Sequence, residues 1–259
     1  MKTNGRVGRI PGNDRALPML LQVAQGPGQS LAQVADALRM PRPSALRVLR
    51  DLEQCGWVDR DEGSGYSLGP VVLALARAYV TETPLLAAAT GPVEALRDEL
   101  GATVALSVVS GAWWICVHEA RGPGRDAVEH ERGRSGPLEQ GAIGQLLLAH
   151  IAGSRRTWAL ETRIPDDGPA ARERRAAIEH TCATIREHGY AVGPHDGDGD
   201  GDAAAIAVPV LVPAFDGETA YALTAFVPGL DPADDVERWV GALGVGAGRI
   251  ERALAPVEA

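Results

Sequence analysis

The strongest constraint on the fold is the order of apolar spacings in the first seventy residues. Leu17, Leu20, Leu21 and Ala24 recur as i, i+3, i+4, i+7, the stripe of an amphipathic helix. Asn13 or Asp14 can cap it, and Gln25-Gly26-Pro27-Gly28 stops it. Ser30 then precedes Leu31, Val34, Ala35 and Leu38, with Gln33 placed as in a capping box. After the short Arg39-Met40-Pro41 link, Ala45, Val48, Leu49 and Leu52 mark the inward face of a third helix, ended by Gly56. Pro43 is tolerated there only because it falls in the first turn. Two short apolar runs, Trp57-Val58 and Tyr66-Ser67-Leu68, flank a glycine-containing loop and read as a hairpin. Helix, helix, helix, hairpin is the order of a winged helix-turn-helix.

The outward face of the third helix carries the chemistry. Arg47, Arg50 and Gln54 lie opposite the apolar stripe, with Arg42 and Ser44 at its start. Guanidinium groups on such a helix read guanine edges or clamp phosphate, and a hydroxyl can donate to phosphate. Gln33 on the second helix and Arg60 and Ser64 of the wing complete the expected DNA-contacting set. The alternative is a solvated helix face with surface arginines. Charge supports the nucleic-acid reading: residues 1–50 hold eight basic and two acidic groups, whereas 84–259 hold 15 basic and 26 acidic, within an overall net charge of −9. Such asymmetry separates a phosphate-seeking end from an acidic remainder.

Residues 71–80 are apolar on nearly every side, so this helix must be covered by a partner subunit or by the rest of the chain. Beyond Pro84 the spacing predicts helices over 84–100, 141–151, 170–188 and 231–254. Strands are expected over 103–109, 113–118, 205–212 and 219–227. Two hairpins with flanking helices make an α+β sensor-like domain. The expected division is a basic arm over 1–12, a winged helix-turn-helix over 13–69, a linker helix over 70–83 and a sensor domain over 84–259.

Gly141, Ala142 and Gly144 open a helix, whose exposed amides suit a carboxylate or phosphate; close packing on a sheet is the alternative. Leu106, Trp114, Ala205 and Phe226 are candidate strand residues for lining such a site. Asp196, Asp198, Asp200 and Gly201 match the early positions of a calcium loop, but its twelfth position falls on Ala207. A solvated acidic loop is the preferred reading, with a weak divalent site as the alternative. His118 and Glu119 are adjacent on an expected strand and point to opposite faces, so they do not share one site. No catalytic residue, cofactor or metal ligand is assigned. Three scattered cysteines, no apolar run of membrane-spanning length and no secretory signal lead to the expectation of a cytoplasmic protein without a membrane partner.

Together Arg15-Ala16-Leu17, Leu31-Ala32-Gln33-Val34-Ala35, the run from Pro41 to Leu52, Gly56-Trp57-Val58 and Gly65-Tyr66-Ser67-Leu68-Gly69 resemble the IclR-type bacterial transcriptional regulators. The likeness continues through the run from Pro137 to Ala149, Gly189-Tyr190-Ala191 and the run from Ala205 to Val210. The chain departs from the family's usual residues at Pro43, Leu46, Gln145 and Ala205, and Asp196 is the nearest substitute for its usual glutamate. The resemblance implies a GAF-like antiparallel-sheet domain that holds a small-molecule effector, with Asp196 among its contacts. It implies operator DNA as a partner and a homodimer or a dimer of dimers. Repression relieved by ligand is preferred over activation. The rival readings are an enzyme built on the C-terminal domain and a winged helix that binds protein.

Overall fold

The computed structural model describes all residues except 1–12, 27, 61, 62, 64, 125, 126, 129, 131, 196–202, 215, 216, 230–235 and 256–259. The chain divides into two compact units, residues 1–83 and 84–259.

In the first unit α1 (Asn13–Ala24), α2 (Leu31–Ala37) and α3 (Arg42–Gln54) surround one small core. A three-stranded antiparallel sheet closes it: β1 (Gln29–Ser30), β3 (Gly65–Leu68) and β2 (Val58–Arg60), in that spatial order. The capping box forms as the sequence expects. Ser30 Oγ accepts from the Gln33 amide at 3.3 Å, and Gln33 Oε1 accepts from the Ser30 amide at 2.8 Å. Arg39, between α2 and α3, takes φ +50°, a left-handed conformation that is costly for a residue with a Cβ. The α1 stripe is a correction. Met19 and Val23 are buried at 0% and 1%, whereas Leu17 and Leu21 stand 58% and 70% exposed. The helix bears apolar residues on two faces, and spacing alone selected the wrong one. Helix α4 (Val71–Glu82) follows and has no buried residue: Leu73, Leu75, Tyr79 and Val80 are each about half exposed or more.

The second unit is a six-stranded antiparallel sheet ordered β6 (Ser135–Pro137), β5 (Trp113–Ala120), β4 (Thr103–Ser110), β9 (Gly217–Pro228), β8 (Ala203–Ala214), β7 (Ala191–Pro194). One face is covered by α5 (Pro84–Leu100) and α9 (Val236–Leu254), whose Val93, Leu96, Leu243 and Ile250 meet Val104, Leu106, Ile206 and Leu223. The other face is covered by α6 (Gly141–His150), with α7 (Gly153–Arg163) and α8 (Pro169–His188) completing that core. The α6 segment is apolar on nearly all sides because it lies between the sheet and α8. Elements β1, β6, β7 and α7 were not anticipated; the three strands are only two to four residues long, too short for a period to show.

Candidate nucleic-acid interface and effector cavity

Burial of Ala45, Leu49 and Leu52 fixes the rotation of α3 about its axis. That rotation leaves Arg42, Arg47, Arg50 and Gln54 exposed and Ser44 half-buried. Arg47, Arg50 and Gln54 share the outer side of the helix, with Arg42 and Ser44 at its N-terminal end, an arrangement a groove-reading element requires. Arg60 is exposed on β2, its guanidinium 5.6 Å from the centre of the buried Tyr66 ring. Gln33 is exposed, but its carbonyl oxygen is engaged in the α2 cap. Ser64 lies outside the described residues, as do Asp196 and the rest of the Asp/Gly loop.

In the second unit the informative point is the start of α6. Gln140 sits at the cap position with extended backbone and makes no capping side-chain hydrogen bond. Gly141 and Ala142, the first residues of α6, line a cavity of about 10 Å³, the room of one water molecule. Trp114, Ala205, His130, Arg134 and His195 also line it. The terminus of α6 concentrates positive potential there. Strand β7 passes close by: a Cβ on Gly193 would meet the Ala142 nitrogen at 3.3 Å.

His130 is the residue that sequence reasoning passed over. Its ring stacks between Phe226, with centroids 4.3 Å apart, and Trp114, at 5.5 Å; His195 tilts against it at 5.5 Å. It is 1% exposed, and neither ring nitrogen has a hydrogen-bond partner among the described residues. Burial first, then the charges of His195 and Arg134, push its pKa from the ordinary 6.5 down to about 3, so the ring is neutral at physiological pH. Thr103 holds the loop that carries it, donating to the Val128 carbonyl at 2.7 Å and accepting from the Gly122 amide at 3.0 Å. Position 130 shows no period, and its partners come from strands far away in the chain. Only the long-range pairing of β4 with β5 and β9 brings them together.

Of the residues expected at the effector site, Gly141, Ala142, Trp114 and Ala205 line the cavity, and Phe226 lies behind His130. Gly144 serves packing instead. A Cβ there would come within 2.5 Å of the Pro137 carbonyl oxygen. Leu106 is a correction: it points to the opposite sheet face, among α5 and α9. Strand alternation says that Ala105 and Leu106 face apart, not which of them faces α6. A more open indentation of about 280 Å³ lies between α7 and α8, but Arg175 in its lining is already paired with Asp167 at 2.6 Å. The thiols of Cys116 and Cys182 are buried and pushed up to about 12 and about 11, mainly by desolvation, which makes them poor nucleophiles.

Residues 14–62 match the IclR helix-turn-helix domain, and residues 77–228 match the bacterial transcriptional regulator IclR C-terminal family. The chain belongs to the IclR family. Among its IclR relatives, the glycerol operon regulatory protein of Streptomyces coelicolor is 31% identical over 69% of this chain and 70% of its own. The transcriptional regulator BhcR of Paracoccus denitrificans is 25% identical over 88% and 81%. The IclR fold is shared with a regulator from Brucella abortus (TM-score 0.76, 18% identity, 95% and 94% of the two chains). It is shared also with an IclR homolog from Microbacterium hydrocarbonoxydans complexed with 4-hydroxybenzoate (TM-score 0.67, 22% identity, 92% and 98%). These relatives are transcriptional regulators rather than enzymes. The N-terminal unit is accordingly a helix-turn-helix domain and the second an antiparallel-sheet domain of the IclR type. No single helix among the described residues is long and apolar enough to cross a membrane.

Proposed function

We propose that the chain is a one-component repressor whose operator affinity falls when a small molecule fills the cavity at the start of α6. The observation that carries this reading is the exposed pair Arg47 and Arg50 on a helix locked by its opposite face, with Arg42 exposed at its start. Ser44, Gln54 and Arg60 extend the DNA-contacting set. Gly141, Ala142, Trp114, His130, Arg134 and Ala205 form the effector site. A solved fold neighbour complexed with a small carboxylate, 4-hydroxybenzoate, supports a ligand-holding role for this domain. The exposed apolar residues of α4 support self-association, as a homodimer or a dimer of dimers. Such a regulator works where the genome is, in the cytoplasm.

Fluorescence anisotropy with duplexes from the gene's own upstream region tests the reading. Arg47→Ala is expected to weaken binding by about 1–3 kcal/mol where the side chain reads a base. Unchanged affinity in Arg42→Ala, Arg47→Ala and Arg50→Ala alike removes α3 from the interface.

A further inference from the structure

Resting on the reading that α3 enters the major groove of DNA, the geometry points to Pro43 as a base-reading residue whose target is the methyl group of a thymine. The placement of Pro43 comes first. Pro43, Arg47, Arg50 and Gln54 recur as i, i+4, i+7, i+11, which puts them within an arc of about 60° on a helix. That arc lies opposite the buried Ala45, Leu49 and Leu52, and its four residues are all exposed. Pro43 therefore stands on the outermost row of α3, one turn before Arg47. Whatever brings Arg47 and Arg50 to the base edges brings the pyrrolidine ring to them as well.

What Pro43 can offer there is narrow. Its ring is three methylenes without a donor or an acceptor, and its nitrogen carries no hydrogen. The backbone around it is equally committed. Pro41 also lacks an N–H, and the amides of Ser44 and Ala45 donate to the Pro41 carbonyl at 2.9 and 3.0 Å. Leu46, a neighbour of Pro43 at i+3, is half-buried and widens the apolar surface to one side. This end of the outer row is thus apolar, while the rest of it is cationic or polar.

Base edges in the major groove answer such a surface unequally. Thymine alone of the four bases presents a methyl group there. Adenine, guanine and cytosine present donors or acceptors whose water the ring would displace without replacing its hydrogen bonds. A methyl against a methylene ring loses only water that neither group binds well. Pro43 thereby favours one base by apolar contact, beside arginines that read bases by hydrogen bonds or hold phosphate.

The test is fluorescence anisotropy with the full chain and the tightest-binding duplex from the gene's own upstream region. Each thymine in turn is replaced by 2′-deoxyuridine, which removes the methyl and keeps every hydrogen-bonding group. The swap is expected to weaken binding about fourfold at the thymine that Pro43 meets, the worth of one buried methyl. Cytosine placed at that position should bind about fourfold more tightly once it is 5-methylated. Pro43→Ser puts a hydroxymethyl group at an exposed position in the first turn. It should bind the thymine and uracil duplexes equally well. A scan in which no thymine methyl changes affinity by as much as about twofold overturns the proposal. So does a methyl preference of undiminished size in Pro43→Ser. If that variant does not fold, Pro43→Ala, which also removes the ring, is held to the same outcome. The arginine variants separate this proposal from the broader reading. Methyl-insensitive binding that Arg47→Ala and Arg50→Ala still weaken sinks the thymine contact and leaves α3 in the groove. Binding that none of these changes alters sinks both.

Discussion

Arg163 and Glu139 are unequal partners. Arg163 Nε donates to both carboxylate oxygens at 3.1 Å, and its guanidinium lies 4.4 Å from the Trp113 ring centre. The Glu139 side chain is 2% exposed and that of Arg163 26%. Removing the cation strands a buried carboxylate, whereas removing the carboxylate leaves a cation that water can reach. Arg163→Ala is therefore expected to cost about 3 kcal/mol and Glu139→Gln less than half of that. Urea unfolding followed by tryptophan fluorescence checks the order; equal costs would mean that the pair is not the anchor of this corner. His130 sets a pH dependence. Its pKa is lower in the fold than in the unfolded chain, so the unfolded state takes up the proton first as pH drops. Its stability contribution is full above about 6.5 and declines between 6.5 and 3, by at most about 1.4 kcal/mol per pH unit. His118, also lowered chiefly by burial, acts in the same direction. Melting temperatures from pH 7.5 to 5 should fall less steeply in His130→Phe; parallel curves would exclude the ring as the titrating group.

At the scale of elements, α1 and α4 teach the same lesson from opposite sides. Apolar spacing announced both helices within a residue or two of their ends, because a helical period is a local property. It did not say what covers them. Helix α1 turns Met19 and Val23 inward and leaves Leu17 and Leu21 outside, and α4 buries nothing. Large exposed leucines on two elements of one small domain are the surface on which the proposed self-association rests. Leu73→Glu together with Tyr79→Glu is expected to shift the protein toward monomer in analytical ultracentrifugation and to weaken operator binding, since paired half-sites lose their link. An unchanged sedimentation coefficient at micromolar concentration would assign the contact to another surface. At α3, by contrast, burial and exposure fell as the spacing says, because the stripe Ala45–Leu49–Leu52 has no apolar rival on that helix.

For the whole molecule, the uneven charge makes a prediction of its own. Operator affinity should fall linearly in log–log terms with salt, by about 0.9 per phosphate neutralised. Arg42→Ala or Arg50→Ala should reduce that slope by about one where the residue meets the backbone rather than a base. A slope that no arginine substitution on α3 alters would place the electrostatic contact elsewhere. The isolated acidic unit should show no salt-dependent DNA binding at all.

The sequence alone determined the order of the three helices and the wing hairpin in the N-terminal unit, the Ser30 cap, the outward arginines of α3 and the helix start at Gly141. Each of these rests on neighbours a few residues apart, where period, capping chemistry and turn residues act directly. Tertiary structure decided which α1 stripe is core, that Leu106 turns from α6 while Trp114 and Ala205 face it, and that His130 is enclosed with unsatisfied nitrogens. The first depends on α1 packing against α2, α3 and the wing; the others depend on the pairing of β5, β4, β9 and β8, which joins residues as far apart as 114 and 226. No local pattern encodes them, because a strand's alternation names two faces and only the sheet's neighbours say which one is inside.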